Sequence, residues 1–415
     1  MIAYDIVIVG GGPVGLGFAC LVGGLGLKIA VIEKNVEALL ANPAPDGRDI
    51  TLTHHSIQVL ENIGAWRNIV GTDIAPIKRV RVKNADSSYL LSFDHERTKH
   101  AALGYLVSNH IIRRVLYQAA KERENVDLLA GTDASDLDLG EPLAKISLSS
   151  GDVLEAALVV AGDSRFSKMR REAGIGAKIR DFSHVAIVCR MKHEKPHDGT
   201  AYEWFDAGQT LAVLPLNNRE FSIVITLPES AAPRVMGLAP NEFAAEVEQR
   251  LAGQWGRMEL SSKRYTYPLV AVYADRFSAH RFALIGDAAV GMHPVTAHGF
   301  NFGLKGIDNL AAKVRAAFRA GRDIGSISVL ESYDREHRRA TYPLYVATNA
   351  LVGLYTNDQV LARIARNALL RLGNALPPVK DWLLYKLTET DERRTGLKSM
   401  DFSCGVPGRP TGGAA

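Results

Sequence analysis

Apolar residues near the start of the chain fall in unbroken runs closed by glycine or an acid, the pattern of strands buried on both faces of a parallel sheet. Asp5-Ile6-Val7-Ile8-Val9 stops at Gly10 and predicts the first strand. Leu16-Gly17-Phe18-Ala19-Cys20-Leu21 predicts a helix that opens at the glycines, and Lys28-Ile29-Ala30-Val31-Ile32 predicts a second strand that delivers Glu33. Two further runs of this kind lie far downstream: residues 158–161 before Gly162-Asp163, and residues 281–285 before Gly286-Asp287. The latter leads into an amphipathic helix from Leu304 to about Ala320. Between them the period changes to two, over residues 185–190, 210–215 and 220–226 with a turn at Asn217-Asn218, which predicts an antiparallel sheet.

The order of these patterns predicts an α/β fold whose nucleotide domain is interrupted by a second domain. Residues 1–75, 101–180 and 281–345 form the first, and residues 76–100 and 181–280 the second. From about Leu330 the spacing is helical. Leu361, Ile364, Ala365, Ala368, Leu369 and Leu372 make an apolar stripe opposite Arg363, Arg366, Asn367 and Arg371. C-terminal helices are therefore expected over 346–390, packed on the core with a solvated basic face in preference to a lipid or partner surface, and a flexible tail over 391–415.

Composition narrows the class. A chain of 415 residues, 47% of them hydrophobic, can bury one large core or two smaller ones. The net charge of +4 is dispersed without a basic block, so no nucleic-acid partner is expected. Cys20, Cys189 and Cys404 have neither disulfide nor metal spacing and fit a reducing cytoplasm. No metal site is expected. No apolar run approaches the ~20 residues of a membrane span, and the first residues already form a strand. Any membrane contact is expected to be peripheral, at the inner face.

The chemistry starts at the first turn. Gly10 permits a sharp strand-to-helix exit, Gly12 lets backbone amides approach a pyrophosphate, and Gly15 allows close helix packing, with Pro13 and Val14 between them. Amides at the helix N-terminus supply a positive field. Glu33 stands where it can accept bonds from both ribose hydroxyls, and its charge would repel a 2′-phosphate, so the cradle is not built for NADP. Strand, glycines, helix, second strand and acid occur in order within about thirty residues, as the full motif requires.

Together with two later strand-end acids, this cradle resembles the FAD-dependent aromatic hydroxylases, the single-component flavoprotein monooxygenases, over nearly the whole chain. The fingerprints are Gly10-x-Gly12-x-x-Gly15, Asp163-Ser164-x-x-Ser167-x-x-Arg170 and Gly286-Asp287. Ser164 replaces a usual glycine, and Val290 replaces a common histidine. The resemblance implies a Rossmann-like, para-hydroxybenzoate-hydroxylase-like FAD domain with an inserted substrate domain. It implies that Asp287 binds the ribityl hydroxyls, that Gly299, Phe300 and Asn301 border the flavin ring edge, and that Arg48 contacts the cofactor. It places Asn109 near the flavin phosphates, and Asp163 and Arg170 in a motif shared by flavin and NAD(P)H.

Within that family the chain is most similar to the ubiquinone-biosynthesis hydroxylases, through residues 46–53, 193–203 and 293–301. The implied reaction uses NAD(P)H to reduce FAD, after which O2 adds at flavin C4a and the hydroperoxide hydroxylates a prenylated benzoquinol or phenol. The lean is toward demethoxyubiquinone. Such chemistry belongs to the cofactor and needs no nucleophile. A base for the ring hydroxyl would help; His293, His298 and Tyr202 are candidates, and none is assigned. The alternatives are a hydroxylase of a soluble phenol and a catalytically silent flavoprotein scaffold. A halogenase would need a Trp-x-Trp-x-Ile-Pro signature, which the sequence lacks.

Overall fold

The computed structural model describes residues 2–84, 90–206, 208–293 and 298–355, and Thr388. The apolar stripe and arginine face at 361–372 and the expected tail lie outside these residues. The first strand, β1 (Ile2–Val9), the helix α1 (Pro13–Gly23) and the second strand, β2 (Ile29–Glu33), form in the predicted order. They belong to an eight-stranded sheet whose main path runs Ser278–Ala279, Phe282–Leu284, Val153–Ala161, β1, β2 and Val126–Ala130. From Phe282–Leu284 to Val126–Ala130 every neighbouring pair is parallel. Residues 6–9, 29–32 and 158–161 and the strand Phe282–Leu284 are apolar and buried, and they feed one core with the helices Gly299–Arg319 and Asn109–Lys121. The helix at Gly299 starts five residues before the predicted Leu304, because Gly299-Phe300-Asn301 already form its first turn.

The alternating segments build a nine-stranded sheet. Its main path is Val290–Gly291, Tyr265–Ala274, Ala177–His193, Glu220–Pro228, Gln209–Leu216, Thr200–Asp206, Arg79–Asn84 and Leu90–Asp94. Asn218 and Arg219 turn the Gln209–Leu216 and Glu220–Pro228 hairpin with φ of +60° and +55°, the left-handed pair that suits a right-twisted hairpin.

Two features differ from the sequence expectation. Thr200–Asp206 pairs with Arg79–Asn84 in parallel, because these strands are joined by a crossover of more than a hundred residues and not by a hairpin. The sheet also takes in residues 177–180 and 290–291, outside the expected 181–280, since Ala177–His193 is one continuous strand and Val290–Gly291 pairs with its neighbour Tyr265–Ala274.

The two faces of this sheet have different partners. Val185, Ile187, Cys189, Val213 and Ile223 point to the face covered by the helices Ala232–Gly237 and Pro240–Arg250. Ala186, Val188 and Arg190, one residue out of phase, point to the opposite face, toward the nucleotide domain. Between the two large sheets lies a three-stranded sheet of Asp49–Leu52, Gly104–Ser108 and Ala75–Ile77. Leu106 of this sheet packs with Ala201 and Leu214 of the larger one.

Candidate cofactor and substrate site

Four adjacent parallel strands end side by side, and each delivers a residue that the sequence singled out: Glu33 as the last residue of β2, the glycines after β1, Asp163 after Val153–Ala161, and Asp287 after Phe282–Leu284. The crevice beyond the carboxyl ends of such strands is the ligand site of open α/β sheets.

The three cradle glycines have different reasons to be glycine. Gly10 has φ +110°, and a Cβ there would lie 2.5 Å from the Gly162 carbonyl oxygen. A Cβ on Gly15 would lie 2.0 Å from the Gly10 oxygen. Both are demanded by the packing of the protein itself. Gly12 has an ordinary φ of −72°, and a Cβ there would meet nothing within 4 Å. The open space over Gly12, at the N-terminus of α1, fits a pyrophosphate. Pro13 takes the first helical position, where its missing N–H would be unpaired in any case. Val14 packs between the other motifs: Cβ atoms on Gly286 and Gly303 would approach its side chain to 3.3 and 2.9 Å.

The acids are held ready. Glu33 Oε2 accepts the Gly11 N–H at 2.8 Å, and Oε1 accepts the Asn35 backbone and side-chain N–H groups at 2.9 and 2.5 Å. Oε2, with a single described donor, keeps acceptor capacity for a ribose hydroxyl. Asp163 Oδ2 accepts the N–H groups of Lys168 and Met169, while its Oδ1 is buried without a partner among the described residues. Buried acceptors are normally satisfied, so this oxygen is suited to a ligand donor. Ser167 caps the helix Lys168–Glu172, and Ser164, in place of the usual glycine, accepts the Phe166 N–H.

Arg170 is buried, and its Nη1 donates to the carbonyls of Arg165 and Ala288 at 3.1 and 3.0 Å. It fastens the second motif to the third and does not extend into the crevice. Asp287 accepts at 3.0 Å from Arg165, whose other nitrogen donates to the Val270 carbonyl. We expect Asp287→Ala to weaken FAD at least about tenfold, because a charge-assisted hydrogen bond contributes ~1.5–3 kcal/mol. Flavin retention on gel filtration checks this, and unchanged retention would remove Asp287 from the site.

Arg48 and Asn109, distant in sequence, meet at Asp46. The Arg48 guanidinium donates to Asp46 Oδ2 at 2.6 Å and the Asn109 amide donates to it at 2.7 Å. Burial pushes the Asp46 carboxyl up, but Arg48 and Asn109 outweigh it and hold the group below the usual carboxylate range. The loop is pinned to the nine-stranded sheet, as Tyr265 and Tyr267 donate to the carbonyls of Pro45 and Asp46. Next to it Asp49, whose side chain is 1% exposed, takes Arg190 at 2.5 Å across the domain junction.

Gly299, Phe300 and Asn301 open the helix Gly299–Arg319, and a Cβ on Gly299 would meet nothing within 4 Å. Phe300 packs on the nucleotide-domain core. The Asn301 side chain is engaged internally: its amide donates to Thr51, and its oxygen accepts from Thr53 N–H and the Ser56 hydroxyl. This leaves the backbone of the first turn to face a ligand.

The three candidate bases do not converge. Tyr202 points to the helix-covered face, stacked on Trp204 with centroids 5.0 Å apart. His293 is buried against Phe182, and burial, with the fields of His184 and Arg180, lowers it to about 4. Such a ring is a poor proton acceptor at neutral pH. His298 is buried at the N-cap of the long helix. Sequence reasoning missed Asp46, Arg165 and the Asp49–Arg190 pair. Asp46 and Asp49 flank Arg48 within a segment already singled out, but Arg190 reads as an ordinary strand residue.

The profile of the family described as "FAD binding domain" matches residues 3–345. The ubiquinone hydroxylase UbiM of Neisseria meningitidis is 43% identical over 388 residues, covering 92% of this chain and 84% of its own. The ubiquinone hydroxylase UbiL of Rhodospirillum rubrum is 33% identical over 377 residues, covering 91% and 87%. The crystal structure of p-nitrophenol 4-monooxygenase PnpA from Pseudomonas putida superposes with a TM-score of 0.73 at 19% identity, covering 94% of this chain and 99% of that one, a likeness of fold. A profile that spans most of the chain and relatives matched along most of their length agree: the chain belongs to the FAD-binding-domain family of FAD-dependent aromatic hydroxylases.

Proposed function

We propose that this enzyme hydroxylates the ring of a prenylated benzoquinol or phenol on the route to ubiquinone, with NAD(P)H as transient reductant and O2 as the oxygen source. The observation that carries the substrate class is the 43% identity to a ubiquinone hydroxylase over 92% of the chain. When bound, FAD supplies the redox and oxygen-transfer chemistry. The protein binds, orients and dries the site. Gly12 and the α1 amides would seat the pyrophosphate, Glu33 the ribose, Asp287 the ribityl chain, and Arg48 with Asn109 the region between. Asp163 and Arg170 would shape the crevice around them. The N-terminus of the helix at Gly299 would place its positive field at the flavin ring edge.

The sheet face that carries Ala186, Val188 and Val224, with Phe182 beside them, is apolar and suits an aromatic ring kept from water. No helix among the described residues is long and apolar enough to cross a membrane. A polyprenyl tail is poorly carried through water, so such a substrate would be taken up by peripheral contact with a membrane or a partner that presents lipid, for which the sequence offers the arginines at 363, 366 and 371.

Two measurements test the reading. Purified protein should be yellow, with about one FAD per chain, since three separated motifs converge on one crevice. Cells lacking the protein should accumulate a quinone precursor short of one ring hydroxyl by mass spectrometry. A colourless protein that takes up no added FAD, or an unchanged quinone profile, would overturn it.

A further inference from the structure

Within the apolar face of the nine-stranded sheet one carboxyl stands out. Cross-strand register aligns Val82, Glu203, Ala212, Val224, Val188 and Tyr265 in a single row, so all six side chains share a face. Gly47 marks one end of the row: a Cβ there would lie 2.5 Å from the Tyr265 ring and 3.1 Å from Val188. This is the loop of Asp46 and Arg48. Tyr202 and Trp204, the chain neighbours of Glu203, point the other way into the helix-covered core. Glu203 therefore faces the nucleotide domain.

Glu203 stands between two packed contacts on this face. Ala201 and Leu214 pack on Leu106, and that contact ends there. Glu203 and Ala212, the next residues along the same face, stand just past it. At the outer edge Val82 is covered by Leu91, Phe93 and Leu103. Glu203 keeps intermediate exposure and is not sealed in a packed core.

Its only described hydrogen-bond partner is the Thr210 hydroxyl, diagonal to it on the next strand. The charged and titratable groups that share the face are engaged elsewhere. Arg190 is paired with Asp49, Arg48 is paired with Asp46, and His184 contacts the carbonyls of Phe182 and Gly208. A glutamate without a described cation on an apolar sheet face is a poor structural choice. It suits a site that receives a polar atom from a ligand.

We propose that Glu203 binds a ring hydroxyl of the aromatic substrate and accepts its proton. The inference rests on the hydroxylase reading above. In the step, the ring O–H bond breaks, an O–H bond forms on the carboxylate, and the ring keeps the electron pair, which activates the carbons ortho and para to it. The proton can return to the product oxygen, so no further reactant is consumed. Burial raises the Glu203 carboxyl to about 8, with Thr210 pulling the other way, and a base titrating near the working pH is matched to a phenolic proton.

The test uses FAD-loaded full-length protein, Glu203→Gln, Glu203→Leu, and two probes, 4-hydroxyacetophenone and its methyl ether. Phenolate formation is read from the red-shifted absorbance of the first probe, and binding from perturbation of the flavin spectrum. Wild-type protein should bind the phenol at least about tenfold more tightly than the ether, and Glu203→Leu should bind both alike. Glu203→Gln should still prefer the phenol, because its amide can hydrogen-bond, but the bound phenolate fraction at pH 7 should fall about tenfold, the size of a general-base contribution at its lower end. Equal phenolate in wild type and Glu203→Gln, or no preference for phenol in a wild type that carries FAD, would overturn the proposal. Failure of the wild type to take up FAD would instead overturn the reading beneath it.

Discussion

Gly12→Val is expected to give a folded protein without flavin. The backbone at Gly12 has φ −72° and ψ 176°, a conformation that valine adopts readily, and a Cβ there touches no protein atom within 4 Å. Nothing in the polypeptide itself asks for glycine at this position. A branched side chain would instead occupy the space beside the α1 amides where a pyrophosphate must lie, so FAD affinity should fall by at least about a hundredfold, equivalent to ~2.8 kcal/mol. Gly15→Ala should behave in the opposite way. Its Cβ would stand 2.0 Å from the Gly10 oxygen, so strand and helix must separate and the domain core must open. We expect destabilisation on the order of 3 kcal/mol or more, with little soluble protein. Flavin content by absorbance and melting temperature distinguish the two. A Gly12→Val protein with full FAD occupancy would mean that the cofactor lies elsewhere.

Breaking the ion pair at the domain junction should have the next largest effect. Asp49 is 1% exposed in its side chain and takes Arg190 at 2.5 Å, with Ser108 also donating to it at 3.0 Å. Arg190→Met strands a buried carboxylate and should lower stability by about 3 kcal/mol, toward the low end for buried pairs because Arg190 is 31% exposed. The double variant Asp49→Asn/Arg190→Met removes the stranded charge and should recover most of the loss. Urea midpoints of the two variants and the parent decide it. An unchanged midpoint for Arg190→Met would show that the junction is held by apolar packing alone.

Legibility followed sequence distance. β1, α1, β2 and the cradle could be read directly, because each depends on a local signal: a β-branched run buried on two faces, a glycine at a forced turn, an acid at the end of the next strand. The alternating strands were legible for the same reason, since a half-buried strand writes its period into the chain. The parallel pairing of Thr200–Asp206 with Arg79–Asn84 was not, because strand direction and partner are set by the connection and the whole sheet, and no residue encodes them alone.

The same division runs through the site. Sequence by itself determined that a glycine turn joins the first strand to the first helix and which acids close the neighbouring strands. Only the tertiary structure decided that Gly12, unlike Gly10 and Gly15, leaves room for a ligand, that Arg170 turns inward to carbonyls, and that Arg48 and Asn109 meet on Asp46. It also decided that Tyr202 lies on the helix-covered face while Glu203, its neighbour in the chain, lies on the opposite face of the same sheet. The reason is physical: period-two alternation separates neighbours onto opposite faces, but which face meets the cofactor depends on the other domain. Packing between segments more than a hundred residues apart sets that, and it leaves no local trace in the chain.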